Sequence, residues 1–285
     1  MKFGVVMEGG ASRTIFSAGV TDVLMDEKIY PDYFVGVSAG VAYGASYISK
    51  QRGRNEEFTR KYMGSGKYMG AKYLLKPKNH CYYNLPFAFD KIPNELVPFD
   101  YKTFADFDGE FMAGVTDIVT GEAKYLPVPA DDFKWKVTVA SCALPILFRP
   151  VEIDGALYLD GGIADSIPYK EAIREGCDKI IVIITRERDY RKTDEGAVKY
   201  MKYIYRKYPR VVELMQSRAK RYNEERDEMN RLEKEGKLFI ISPRDTTGVK
   251  RTEGNWQKLG PLYRQGIEIC RKMMPQIKEY LEIKN

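Results

Sequence analysis

The stretch Tyr33-Phe34-Val35-Gly36-Val37-Ser38-Ala39-Gly40 constrains this chain more than any other. An apolar run of strand type ends in Gly-x-Ser-x-Gly, and the small and apolar residues from Val41 to Tyr47 read as a packed helix. A strand that turns sharply into a helix leaves little room for side chains. Gly36 and Gly40 therefore let neighbouring backbone approach, while the Ser38 hydroxyl stands at a helix N-terminus, where the macrodipole favours negative charge. The plainer reading of the same residues is a glycine-rich turn with a capping serine.

The rest of the chain supplies a scaffold for such a turn. Phe3 to Met7 reads as a strand, Glu8-Gly9-Gly10 as a turn, and Ser12 to Lys28 as a helix with Ile15, Ala18, Val20, Val23 and Leu24 on one face. Pro31 then precedes the strand that leads to Ser38. A β-α-β-α opening implies parallel strands with helices on both faces. Both special loops leave strand C-termini, the edge where open α/β sheets bind ligands, so the Gly9-Gly10 turn and Ser38 are expected side by side. The turn has neither GxGxxG spacing nor a Gly-Lys-Ser/Thr ending, which leaves nucleotide binding the weaker use for it.

Between Lys50 and Asn84, Tyr62, Tyr68, Tyr73, Tyr82 and Tyr83 alternate with Lys and Arg, as in a packed helical cap with solvated lysines or an aromatic-basic binding surface; the cap is favoured. Phe111 to Val119 and Ala123 to Val128 read as a hairpin or continuous strand, and Asp131 to Ala143 as a helix stopped by Pro145. Two short strands around Asp154-Gly155 deliver Asp160-Gly161-Gly162. A helix over 167–175, a buried strand over 180–184, a helical basic stretch over 186–237, a last strand over 238–241 and a helix over 256–283 interrupted near Pro275 complete the reading.

At 285 residues, with 44% hydrophobic and 30% charged residues and no linker-like segment, the chain reads as one globular domain over 1–285. Its core spans about 1–185, with a helical, basic part over about 186–285. There is no run of about 18 apolar residues, and the first residues reach Glu8 too soon for a secretory signal, so a cytoplasmic protein is expected. Cys81, Cys142, Cys177 and Cys270 form no CxxC pair, which suggests buried thiols rather than a zinc site or disulfides. The net charge is +6, and residues 186–237 hold nearly all of it, with sixteen basic against eleven acidic side chains. Within them, Val198 to Arg210 is suited to peripheral contact with an anionic membrane or to a solvated face. No recognisable motif supports nucleic-acid binding. Oligomeric state is not legible.

A serine needs a base to act as a nucleophile at neutral pH. His80 is the only histidine, precedes Asp160 in the chain and sits in a polar loop, whereas an α/β-hydrolase triad runs Ser, Asp/Glu, His. A carboxylate is then the candidate base, with a pKa raised by desolvation. Asp160 ends an apolar segment and is followed by two glycines that admit backbone or substrate. Gly9, Gly10 and Ala11 can present backbone N–H groups to a developing oxyanion, and Arg13 adds positive charge beside them.

Glu8-Gly9-Gly10-Ala11-Ser12-Arg13, Gly36-Val37-Ser38-Ala39-Gly40 and Asp160-Gly161-Gly162, in this order, resemble the three blocks of the patatin-like phospholipase family. Pro93-Asn94-Glu95-Leu96, Ser141-Cys142-Ala143-Leu144-Pro145 and Tyr158 to Asp165 resemble a bacterial subgroup of it. The resemblance implies a three-layer α/β/α fold with a mainly parallel central sheet. It also implies a Ser38-Asp160 dyad that cleaves acyl esters of lipids without metal or cofactor, with Gly9, Gly10 and Ala11 as oxyanion donors and Arg13, Gly36, Gly40, Gly161 and Gly162 in support. An acyltransferase using the same dyad and a silent lipid- or nucleotide-binding protein are the alternatives. The sequence departs from the family pattern at Ala11 and Thr14, where glycine is usual and a side chain takes φ > 0 at a cost, and at Ile167-Pro168.

Overall fold

The computed structural model describes residues 1–76, 79, 81–193, 198–246 and 248–283. The apolar runs form strands β1 (Phe3–Met7), β2 (Tyr33–Val37), β3 (Glu110–Asp117), β4 (Ala123–Pro127), β5 (Val151–Ile153), β6 (Ala156–Asp160), β7 (Lys179–Ile183) and β8 (Leu238–Ile241). Between them lie α1 (Ile15–Asp26), α2 (Ala39–Ile48), α3 (Arg54–Phe58), α4 (Tyr101–Ala105), α5 (Lys136–Ser141), α6 (Tyr169–Arg174), α7 (Val198–Ile204), α8 (Pro209–Lys234) and α9 (Trp256–Tyr280). The strands join in one sheet whose parallel ladder runs β3-β2-β1-β7-β8, with β4, β5 and β6 antiparallel at the β3 end. This is the mainly parallel α/β sheet the sequence predicts.

Continuous apolar strands are buried on both faces, and the core divides accordingly. Val5, Met7 and Phe34 pack with α1, α2 and α9 on one face. Val6, Val35 and Val182 pack with Tyr169 of α6 and Tyr222 and Met229 of α8 on the other. Helices α1 and α9 cross at two glycines: a Cβ on Gly19 would strike the Tyr263 carbonyl, and one on Gly266 the Phe16 carbonyl.

The register explains how Ser38 and Asp160 come together. Gly114 of β3 pairs with Val37 on one edge and Tyr125 on the other, while its neighbour Val115 pairs with Asp160 and Lys124. Since β4 lies along one edge throughout, β2 and β6 must share the other. Strand β2 ends at Val37, and β6 takes over the edge one residue further along. Asp160 is thus delivered just beyond Ser38 by backbone pairing alone.

Four expectations are corrected. The helix expected over Asp131 to Ala143 is only Lys136–Ser141, because Trp135 takes φ 55° and the Asp132 carboxylate accepts the Lys136 N–H. Residues 186–193 run without helix, and the helical stretch resumes as α7 and α8. Helix α9 runs through Pro261 and Pro275 without interruption, since its buried face, Leu262, Gly266, Cys270, Met274 and Ile277, continues across Pro275. Among the cysteines, Cys81 and Cys270 are buried, while Cys142 and Cys177 are half-buried; all four are free thiols.

Candidate active site

Ser38 takes φ 55° and ψ −129°, a strained turn between β2 and α2. Its N–H donates to Ser141 Oγ at 2.8 Å, and the Ser141 hydroxyl donates to the Gly114 carbonyl at 2.7 Å. Ser141 is fully buried, so α5 ties the turn to β3 by a side chain with no other outlet. The glycines serve close approach rather than unusual dihedrals. A Cβ at Gly40 would strike the Met7 carbonyl, and one at Gly9 would come within 2.9 Å of Ser38 Cβ.

Asp160 is 2% exposed. Its Oδ1 accepts the Gly162 N–H at 2.8 Å, whereas Oδ2 is buried with no hydrogen-bond partner of good geometry among the described residues. Burial pushes the carboxyl above its ordinary range; the nearby Ser38 hydroxyl and then the Arg218 charge draw it partly back. The serine hydroxyl is thus within electrostatic reach of the carboxylate without a hydrogen bond of good geometry between them. Arg218 Nε donates to the Gly162 carbonyl at 2.6 Å and Arg221 to the Ile163 carbonyl at 2.6 Å, so α8 clasps the turn that follows Asp160.

The glycine loop follows β1. The N–H groups of Gly9, Gly10 and Ala11 find no acceptor among the described residues, although Glu8 N–H reaches the Ile183 carbonyl and Arg13 N–H closes back on Gly10. Ala11 does take a left-handed φ of 48°, at a cost of about 1–2 kcal/mol, while Thr14 sits in ordinary right-handed geometry and demands nothing of a glycine. The loop is held from both sides. Ser12 Oγ donates to the Arg251 carbonyl at 2.8 Å, and the Glu8 carboxylate accepts from Thr185 N–H at 2.6 Å and the Tyr222 hydroxyl at 2.8 Å.

Two compartments meet at Ser38. One, of about 650 Å³, carries Glu8, the glycine loop and Asp160 together with cationic side chains. The other, of about 490 Å³, is mainly apolar, with Tyr43, Met63, Tyr68, Tyr83, Phe89 and Phe148 on its walls. A further apolar chamber of about 490 Å³ shares Ala42, Tyr43, Tyr68 and Phe89 with it and extends to Ile92 and Trp135. Hydrophobic and aromatic lining with a few convergent polar groups is what small-molecule sites offer.

The residues named for the site in the sequence gather here. Ser38, Asp160, Gly9, Gly10, Ala11, Arg13 and Gly162 line the polar compartment, while Gly36, Gly40 and Gly161 pack the backbone behind it. Of the tyrosines of 62–83, Tyr68 and Tyr83 form apolar pocket wall while Lys61, Lys67 and Lys72 face solvent, but the described residues of 64–84 hold only the short helical turn Ala71–Tyr73 and not the helical cap expected. His80 lies outside the described residues. Sequence reasoning missed Ser141 as a tie, and it missed Arg186, Lys192, Arg218, Tyr222 and Arg251 at the site. The signal was the spacing of Arg218, Arg221, Tyr222 and Arg226, which share one face of a helix.

A family model described as "Patatin-like phospholipase" matches residues 5–173, and one described as "Domain of unknown function (DUF6363)" matches residues 208–282. Over 191 residues, 65% of the chain, the sequence is 30% identical to the protein described as "Uncharacterized protein YjjU" of Escherichia coli (strain K12), covering 52% of it. Over 193 residues, 66% of the chain, it is 24% identical to lysophospholipase NTE1 of Scheffersomyces stipitis, covering 12% of that protein. The chain therefore spans about half the length of the first relative and a small part of the second. Among solved structures, VipD from Legionella pneumophila aligns with a TM-score of 0.49 at 13% identity over 96% of this chain and 67% of that one.

Proposed function

Because the chain belongs to the patatin-like phospholipase family, we propose that it is a serine hydrolase of lipid acyl esters in which Ser38 is the nucleophile and Asp160 the base. The observation that carries this reading is the buried Asp160 carboxylate, one oxygen bonded to its own turn and the other unpartnered among the described residues, beside a serine in a strained turn.

Asp160 takes the Ser38 proton as Oγ attacks the ester carbonyl carbon. The N–H groups of Gly9, Gly10 and Ala11 receive the oxyanion, and one such donor is worth about 10²–10³ in rate. Collapse breaks the carbon–oxygen bond to the alcohol, which leaves with the proton held by Asp160. Water, deprotonated by the same carboxylate, then attacks the acyl-enzyme, and fatty acid and free serine result. The apolar chambers suit the acyl chain. Exposed Tyr203 and Ile204, beside exposed Lys202, Arg206 and Lys207, suit contact with an anionic bilayer, and vesicle co-sedimentation lost on reversing those charges is the expected result. Among the described residues no helix is long and apolar enough to cross a membrane.

The deciding experiment is intact-mass spectrometry after treatment with a fluorophosphonate. A single adduct on the wild type, absent from Ser38→Ala, together with loss of ester cleavage in folded Asp160→Asn, is expected. Full activity in either variant removes the dyad.

A further inference from the structure

The second apolar chamber, which continues past Tyr43 and Phe89, is not apolar to its end. Helices α2 and α5 both run along it. At the near end Ser141 of α5 holds the Ser38 N–H. At the far end Arg54, the first residue of α3, donates to Ser46 Oγ of α2 at 3.1 Å. Its guanidinium lies 5.1 Å from the Phe99 ring centre, and Phe99 meets Trp135, the residue before α5, at 4.7 Å. Ser46 stands eight residues beyond Ser38, about 12 Å along the helix axis.

Two polar side chains on the wall of this chamber, Arg54 and Thr138, are incompletely answered by the protein. Arg54 is 9% exposed, and its partners are neutral: the Ser46 hydroxyl, the Val97 carbonyl at 2.9 Å and the Pro98 carbonyl at 3.4 Å. These use three of its five N–H groups. Burial brings its pKa down to about 10, and the one carboxylate that favours its charge, Glu57, is itself bound to Lys61 at 2.6 Å. Thr138 is fully buried, and its hydroxyl has no partner among the described residues. A plain alkyl chain would leave both groups as they are, whereas a carboxylate offers the guanidinium a counter-charge and the hydroxyl an acceptor.

We propose that this chamber selects acyl chains that end in a carboxylate, so that the preferred substrates are half-esters of dicarboxylic acids, with the ester carbonyl at Ser38 and the free carboxylate at Arg54 and Thr138. This rests on the acyl-hydrolase reading and narrows its acyl half. The two apolar chambers share Ala42, Tyr43, Tyr68 and Phe89, so a chain entering beside Ser38 meets one continuous wall. The span along α2 calls for a chain of medium length. A site whose polar groups are paired only by the right substrate rejects an analogue lacking those atoms more strongly than an apolar pocket rejects a wrong length.

The test is the ratio of kcat/KM for p-nitrophenyl hydrogen sebacate to that for p-nitrophenyl decanoate, esters of equal chain length that differ in the terminal group. A ratio of at least about ten is expected. Thr138→Val and Arg54→Gln should each reduce it, and Thr138→Val, which keeps the side-chain shape, carries the test where Arg54→Gln does not fold. A merely structural role for either residue would lower both rates together and leave the ratio unchanged. A wild-type ratio at or below one, or a ratio that no folded variant changes, overturns the proposal. So does an equal preference for the succinate half-ester over butyrate, chains too short to reach Arg54, which would place the cation elsewhere. Failure of the hydrolase reading looks different: no fluorophosphonate adduct forms and neither ester is cleaved. The proposal is then read by calorimetry on Ser38→Ala, where monomethyl sebacate must bind tighter than methyl decanoate.

Discussion

Substituting Ser141 by alanine isolates a buried side chain that holds the serine turn. The Ser141 hydroxyl accepts the Ser38 N–H and donates to the Gly114 carbonyl, and all three groups are away from solvent. Alanine leaves both backbone groups without a partner. Each buried orphan costs about 1–3 kcal/mol, so a loss of roughly 3 kcal/mol is expected. At about 2–4 °C per kcal/mol for a chain approaching this size, the melting temperature should fall by about 6–12 °C. The Ser38 backbone, strained at φ 55°, should also relax. A displacement near 1 Å in the attacking group costs on the order of a hundredfold in rate, so kcat should drop by about one to two decades. Thermal unfolding and the rate of fluorophosphonate labelling read the two effects separately. An unchanged melting temperature would mean that the hydroxyl carries no such tie. A destabilised protein that labels at the wild-type rate would refute the claim that the tie sets serine geometry.

If Asp160 is the base, it must be ionised to act, and because burial raises its pKa, kcat/KM should begin to fall at a pH above the ordinary carboxylate range. Arg218→Gln, which removes a charge that lowers that pKa, should move this acid limb to higher pH in a pH–rate profile. With the folded pKa above the unfolded one, the stability linked to Asp160 is fully present below the unfolded pKa and is lost as pH rises through the folded value. Asp160→Asn should therefore be inactive yet melt no lower than the wild type at neutral pH, and a clear drop in its melting temperature would contradict the burial argument. Ala11→Gly relieves a left-handed alanine but loosens the unfolded chain, so its unfolding free energy should change by less than about 1 kcal/mol with activity retained; inactivation would show that the loop needs the methyl group. Ala42→Phe plugs the passage between the apolar chambers and should shift an ester-length profile toward short acyl chains, whereas an unchanged profile would place the chain elsewhere.

The sequence exposed those parts of the site that obey local rules. Strand, turn and helix around Ser38 are a local pattern, and the glycines at Gly9, Gly36 and Gly40 mark backbone contacts no side chain would permit. Asp160 emerged by elimination, since the only histidine falls in the wrong order. What could not be read was long-range. That β6 continues the edge left by β2 depends on pairing across 45 residues, and nothing near Ser141 announces that its hydroxyl meets Ser38. The basic stretch was misjudged for a related reason. A charge count over 186–237 cannot distinguish Lys220, which faces solvent, from Arg218 and Arg221, which turn toward the backbone after Asp160.

Under the proposed reading, the position of Arg218 bears on how a single carboxylate could serve where a histidine is usual as base. Desolvation alone raises a carboxyl pKa until the group is protonated and useless; full solvation leaves it too weak a base. At Asp160 different neighbours act on different atoms, against a burial that raises its pKa. The Gly162 N–H occupies Oδ1 and fixes the plane of the carboxylate, leaving Oδ2 for the serine proton. Arg218 lowers the pKa through its charge while its Nε donates to the Gly162 carbonyl, so it steadies the turn without a described hydrogen bond to Oδ2. That residue comes from α8, outside the segment matched by the patatin-like phospholipase model. The C-terminal part therefore acts, through Arg218 of α8, on the same carboxylate that the strand pairing delivers.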